Sequence, residues 1–223
     1  MCGIVGISCP LDWSSTELLA EVENGVVPRD PSFTGLDKAL SALAHRGPDD
    51  SGVFISLECG IGLGHRRLSV LDPSPMAHQP MISDDGQVVL VFNGEIYNFR
   101  ELRAGLEASG YEFRSESDSE VLLKLYLRDG ETMLSSLNGV FAFAIWDGSQ
   151  KRMLLARDAL GVKPLYYSEF GGRFSFSSEI RALRRLLPEL SALDHAALHR
   201  YMSFLYCPGE GTPHADVRKL APG

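Results

Sequence analysis

Short apolar runs with a two-residue period alternate along the chain with amphipathic stretches of helical period, so the pattern predicts strands separated by helices. Gly3 to Ser8 is apolar and β-branched and reads as a buried strand. Pro10 to Gly35 mixes Pro, Gly and acidic residues around a short helical stretch at Glu17 to Glu23, which reads as a surface excursion. Leu36, Ala39, Leu40 and Leu43 fall at helical spacing and predict a helix that delivers the chain to Arg46-Gly47-Pro48-Asp49, where Pro48 and Gly52 force a loop. Val53 to Leu57 and Ile61 to Arg67 read as paired strands, and Val88 to Phe92 as an apolar strand ending at Asn93-Gly94. Phe99 to Ser109 is an amphipathic helix stopped by Gly110. Ser117-x-x-Glu120 fits a capping box that starts a helix over Val121 to Arg128.

Beyond Gly139 the period shortens. Val140 to Trp146, Met153 to Arg157, Leu165 to Ser168 and Phe174 to Phe176 read as strands, with turns at Asp147-Gly148 and Gly171-Gly172. Helices follow at Glu179 to Leu187 and Asp194 to Tyr206, and Pro208 to Gly223 contains no complete element. Hairpin-length connections outnumber crossovers, so the sheets are expected to be mostly antiparallel.

With 44% hydrophobic and 22% charged residues over 223 positions, the chain can bury a sizeable core. The reading is one domain over residues 1–206 followed by a linker over 207–223. A net charge of -8 argues against nucleic acid as an obligatory partner. Arg181, Arg184 and Arg185 have the spacing of a solvated helix face. Cys2, Cys9, Cys59 and Cys207 form no C-x-x-C pair, which favours a reducing, cytoplasmic location. The apolar start is too short for a membrane span and lacks the basic flank of a signal peptide. His195 and His199 lie four apart, but no third residue has matching spacing, so no metal site is expected. Gly60-x-Gly62-x-Gly64 precedes strand-like sequence rather than a helix and is no dinucleotide fingerprint.

The chemistry concentrates at Cys2. Removal of Met1 would leave a thiol beside a free α-amine, a nucleophile with its own base at a pKa of about 8. On position alone, the better reading of Cys2 is a small apolar residue opening a strand.

Several blocks then occur in a telling order: Met1-Cys2-Gly3-Ile4-Val5-Gly6, Arg46-Gly47-Pro48-Asp49, Gly64-His65-Arg66-Arg67-Leu68-Ser69, His78-Gln79-Pro80-Met81, Asn93-Gly94-Glu95-Ile96-Tyr97-Asn98 and Ser117-Asp118-Ser119-Glu120. Gly139 to Ala144, Arg157 to Tyr166 and Ser177-Ser178-Glu179 continue the series. Together they resemble the glutaminase domain of class II glutamine amidotransferases, and more narrowly that of glutamine-hydrolysing asparagine synthetases.

The resemblance implies an α+β fold, a four-layer αββα sandwich of the N-terminal-nucleophile hydrolase kind. It further implies that Cys2 attacks the side-chain amide of L-glutamine, forming a glutamyl thioester and releasing ammonia. Asn93 and Gly94 match the family's oxyanion donors, although Asn-Gly is also the commonest two-residue hairpin turn. Arg67 matches the group that holds the substrate carboxylate, and Asp118 the group that receives its ammonium, with Glu95 a further polar contact. As residues, Arg67 also fits a strand-end cation, and Asp118 a helix N-terminal acid. Backbone groups of Leu68, Val70 and Leu71 would line the same pocket. Arg46 to Asp49 reads as a loop near the nucleophile, and Arg157-Asp158 as structural.

No cofactor is expected for the glutaminase domain. The resemblance places ATP and Mg in a synthetase domain beyond Gly223, reached through a segment like Val217 to Gly223. That domain is the implied partner and would receive the ammonia for asparagine synthesis; a homodimer is left open. Two other readings stand beside this one: a glutaminase domain serving a different acceptor, and a catalytically silent regulatory domain of the same fold. Residues 13–35 have no functional account.

Overall fold

The computed structural model describes residues 1–9 and 33–223. The helical stretch expected at Glu17 to Glu23, and most of the excursion around it, lie outside the described residues. The elements in chain order are β1 (Gly3–Ser8), α1 (Leu36–Ala42), β2 (Asp50–Ser56), β3 (Ile61–Arg67), β4 (Met81–Ile82), β5 (Val88–Ile96), α2 (Phe99–Ala108) and α3 (Asp118–Asp129). They continue with β6 (Gly139–Asp147), β7 (Arg152–Arg157), β8 (Tyr166–Phe170), β9 (Arg173–Ser177), α4 (Ile180–Leu186), α5 (His195–Phe204) and β10 (Arg218–Lys219).

The strands form two sheets, ordered β10-β8-β9-β1-β3-β2 and β4-β5-β6-β7. Every ladder in them is antiparallel. Alternation along each strand sorts the side chains into three apolar layers. Ile4, Leu63 and Phe176 of the first sheet meet Val89, Val91, Ala142 and Ala144 of the second. On the outer face of the first sheet, Val5 and Ile7 pack against Leu36 and Leu40 of α1 and Leu183 and Leu186 of α4. On the outer face of the second, Leu90, Phe92 and Phe143 pack against Val121, Leu122 and Leu125 of α3. The result is the expected αββα order of layers.

Glycines of the first sheet make room for this packing. A Cβ on Gly64 would lie 2.9 Å from Leu40 of α1, and one on Gly62 would lie 2.8 Å from the Phe33 ring. Gly62 and Gly64 therefore make room for Phe33 and α1 on the sheet. Gly52, expected in a loop, lies within β2, where a Cβ would fall 2.1 Å from the Gln79 carbonyl. Its glycine is explained by a close approach rather than by a turn.

Three further boundaries differ from the sequence reading. β5 does not end at Asn93-Gly94 but continues to Ile96, paired with Gly139. The hairpin alternative for Asn-Gly is therefore excluded, and Gly94 is required because a Cβ would lie 2.4 Å from the Val140 carbonyl. α3 begins at Asp118, and only half of the capping box forms. Ser117 Oγ accepts from the Glu120 N–H at 3.2 Å, whereas the Glu120 carboxylate reaches back to the Arg114 and Ser115 N–H groups. Finally, the segment 207–223, expected to lead out of the domain, adds β10 to the first sheet and buries Val217. Arg157 ties it down by donating to the Leu220 carbonyl at 2.7 Å, in keeping with a structural role.

β1 lies at the centre of the larger sheet, between β9 and β3, so the chain start is held on both sides. A Cβ on Gly6 would fall 2.3 Å from the fully buried Phe176 ring. Gly6→Ala is expected to overpack the layer between the sheets and destabilise the protein by about 1–3 kcal/mol. Thermal unfolding checks this, and an unchanged Tm would refute the packing account.

Candidate active site

The two sheets part at one end to leave a cavity of about 220 Å³. Cys2, Arg67, Leu68, Val70, Leu71, Asn93, Gly94, Glu95 and Asp118 all line it, so the structure brings together the residues that the resemblance assigned to catalysis and substrate binding. They come from the start of β1, the end of β3 and the loop after it, β5, and the start of α3.

Cys2 immediately precedes β1, on the same alternation as Ile4, which points between the sheets. The Leu68 N–H donates to its sulfur at 3.4 Å. Burial pushes the Cys2 thiol above its ordinary pKa, and the Leu68 N–H, the chain-terminal ammonium and Arg67 act against that rise. Arg46 donates through Nε to the Cys2 carbonyl at 2.9 Å, so the expected loop near the nucleophile touches its backbone directly.

The opposite wall is β5. β4 spans only two residues and pairs with Val89 and Leu90, so the rest of that strand edge has no partner strand. N–H groups alternate sides along an antiparallel strand, which turns those of Phe92, Gly94 and Ile96 toward this edge. Side chains take two of them. Gln79 Oε1 accepts from Phe92 at 2.7 Å, and Asp118 Oδ2 accepts from Ile96 at 3.0 Å. The Gly94 N–H lies between these two, on the cavity wall.

Asn93 alternates with Val89 and Val91 and faces the other sheet beside Cys2. It is 1% exposed, and its amide Nδ2 has no partner in the protein. A buried donor left without an acceptor is costly, so its retention on a cavity wall points to an acceptor supplied from outside. His65 supports the strand from below. Burial pushes its imidazole down to about 4, so it is neutral near pH 7 and donates from Nε2 to the Phe92 carbonyl at 3.0 Å.

Arg67 closes β3 and is 7% exposed. It donates to the carbonyl of Ser74 at 3.1 Å and to that of Asp72, which folds the 68–74 loop over the cavity. Of the five guanidinium N–H groups these use two, which leaves donors for a ligand. Leu68, Val70 and Leu71 line the cavity from this loop, and all three are exposed. Glu95 is exposed at the rim.

Asp118 is the first residue of α3 and is buried. Burial raises its pKa to about 6, against the pull of the Ile96 N–H, and the Glu95 charge adds to the rise. Asp118 is therefore an anionic group held uncomfortably and ready to accept a cation.

Gln79, Asp72, Ser119 and Lys163 also line the cavity, and none was assigned a role from the sequence. Gln79 links two walls, donating to Ser119 Oγ at 3.1 Å while accepting from Phe92. Its motif, His78-Gln79-Pro80-Met81, was the available signal. Lys163 is held at the rim by Asp158, which accepts from the Val162 and Lys163 N–H groups at 2.8 and 3.0 Å. His195 and His199 lie on α5, and among the described residues no cluster of His, Cys, Asp or Glu has the grouping of a metal site. No helix among those residues is long and apolar enough to cross a membrane.

A family model described as a glutamine amidotransferase domain matches residues 1–223. Among curated proteins, an asparagine synthetase (glutamine-hydrolysing) of Bacillus subtilis is 42% identical over 181 residues, covering 81% of this chain and 28% of the relative. A protein of Methanocaldococcus jannaschii named as a putative one is 40% identical over 203 residues, covering 83% of this chain and 39% of its own length. The chain thus spans well under half the length of these relatives. Among solved structures, the glutamine phosphoribosylpyrophosphate amidotransferase of B. subtilis superposes with a TM-score of 0.62 at 23% identity. That likeness covers 83% of this chain and 43% of the other, and concerns the fold.

The raised pKa of Asp118 has a thermodynamic signature. Its folded value exceeds the unfolded one, so its contribution to stability is full below about pH 4 and is lost as pH rises through about 6. Asp118→Asn is expected to gain stability relative to the unsubstituted protein as pH rises from 4 to 7, by on the order of 1–3 kcal/mol. Urea unfolding across that range checks the sign; a difference independent of pH would contradict it.

Proposed function

The chain belongs to the glutamine amidotransferase domain family, and from that premise we propose that it hydrolyses L-glutamine to glutamate and ammonia with Cys2 as nucleophile. The observation that carries this reading is the buried, unpartnered Asn93 amide on the wall of the cavity that also holds the Cys2 thiol.

Removal of Met1, whose side is exposed, would turn the Cys2 amide nitrogen into a primary amine one carbon from the thiol-bearing side chain. Such an amine, with a pKa of about 8, takes the thiol proton as sulfur bonds to the glutamine δ-carbon. The carbonyl oxygen becomes an oxyanion that accepts from Asn93 Nδ2 and the Gly94 N–H. Collapse breaks the C–N bond, the amine returns its proton to the leaving nitrogen, and ammonia departs. Water then adds to the thioester and splits it to glutamate and free thiol. At the other end of the substrate, the remaining Arg67 donors take the α-carboxylate, and Asp118 and Glu95 take the α-ammonium. Leu68, Val70 and Leu71 supply backbone contacts. No cofactor is required for these steps.

In a protein built at the length of these relatives, this ammonia would serve the ATP-dependent conversion of aspartate to asparagine, on the model of the relatives' names. ATP and Mg would bind the synthetase domain, the partner of this one, in a cytoplasmic setting.

Cys2→Ala is expected to abolish glutamate release, and Asn93→Ala to lower kcat by about a hundred- to a thousandfold while shifting KM much less. Steady-state assays on the protein, after mass spectrometry has established loss of Met1, provide the check. Glutamate release by Cys2→Ala at the unsubstituted rate would end this reading. A bound ammonium favours the ionised form of Asp118, so KM for glutamine is expected to rise as pH falls below about 6, with that limb absent in Asp118→Asn. A KM flat from pH 5 to 8 would remove Asp118 from substrate binding.

A further inference from the structure

Ser177-Ser178-Glu179 is left without a role by the reaction just described, yet it lies directly against the chain start. Cys2 precedes β1 and has no ladder partner; the first register pair of β1 is Gly3 with Arg66. Its orientation must be set by other contacts. The turn after β9 provides them. Ser178 Oγ accepts from the Ile4 N–H at 3.1 Å, the Ser178 N–H donates to the Ile4 carbonyl at 2.9 Å, and Ser177 Oγ donates to the same carbonyl at 3.0 Å. Both hydroxyls and the Ile4 groups are buried.

Glu179 extends this grip to Cys2 through a second side chain. Its Oε1 accepts from Arg46 Nη1 at 3.1 Å, and Arg46 Nε donates to the Cys2 carbonyl. Arg46 packs closely over Gly3, where a Cβ would lie 3.3 Å from Arg46 Cδ. On its outer side Glu179 accepts from His45 Nε2 and Arg181 Nε, both at 2.8 Å, and Arg181 also contacts the His45 ring. Partial burial works against ionisation of Glu179, but the bonds from Arg46 and His45 outweigh it and hold the carboxyl below its ordinary pKa. A guanidinium has several rotamers available to it, and a fixed carboxylate selects the one that meets the Cys2 carbonyl.

We infer that Ser177–Glu179 is a clamp on the nucleophile, in which Glu179 is a positioning residue that acts on Cys2 through Arg46. Neither Glu179 nor Arg46 lines the cavity, so the effect belongs on the reaction step and not on substrate affinity. The inference rests on Cys2 being the nucleophile.

The test is a double-mutant cycle in the full natural chain, reading kcat and KM for glutamate release and the rate of Cys2 alkylation by iodoacetamide. Glu179→Ala is expected to lower kcat roughly ten- to a hundredfold with KM within about twofold, as for a misplaced reacting group. The alkylation rate should change with it, and Glu179→Ala should add little to Arg46→Ala, because one acts through the other. An unchanged kcat, a loss confined to KM, or losses that multiply independently would overturn the inference. Should the alanine variant fail to fold, Glu179→Asp keeps the charge but withdraws it by one methylene. It is expected to show the same kcat loss, and kcat at the unsubstituted level would again refute the clamp. Cys2→Ala run alongside separates the two readings. If it still releases glutamate, the nucleophile assignment falls. If it is inert while Glu179→Ala is fully active, only the clamp falls.

Discussion

The site depends on a strand edge left open inside the protein. β5 outruns its short neighbour β4, and backbone N–H groups at a buried edge must find acceptors. Gln79 and Asp118 answer for Phe92 and Ile96, which fixes the segment before β4 and the start of α3 against the same strand. Between them the Gly94 N–H and the adjacent Asn93 amide remain aimed at the cavity. In the proposed reaction, an interior donor pair of this kind would meet the oxyanion, where electrostatic stabilisation is most effective.

Leaving groups unsatisfied detracts from stability. Asn93 Nδ2 has no partner, the Cys2 thiol is raised by burial, and Asp118 is held well above the normal carboxylate range. All three line the same cavity, whereas acids such as Asp158 are well satisfied. Asp158 accepts from four backbone N–H groups and is held below its ordinary value despite burial. The contrast separates residues that hold the scaffold from residues that await a ligand.

Much of this was legible in the sequence because period and punctuation agreed. The strand Ile61 to Arg67 has the predicted ends, and Gly110 and Gly171-Gly172 have the positive φ values their turn or helix-stop roles require. What was not legible was tertiary. Gly52 and Gly94 carry the local signature of turns but are dictated by backbone passing within 2.1–2.4 Å of a virtual Cβ, a fact of neighbours distant in sequence. Glu120 has the spacing of a reciprocal cap yet is drawn to Arg114 and Ser115, because that loop offers more donors. The motifs located the cavity residues; the division between those that touch the cavity and those that brace it, such as Arg46 and His65, appears only in three dimensions.

The central place of β1 has a consequence for biogenesis. Its two neighbours in the sheet come from residues 61–67 and 173–177, and the contacts that grip Ile4 span 173 and 174 positions. Closing so long a loop is slow and occurs only after the distant segment has left the ribosome. Until β9 has paired with β1, Cys2 therefore lacks the neighbours that house it. The sheet beside Cys2 is thus completed by a strand about 170 residues further along, and its geometry is a late product of folding.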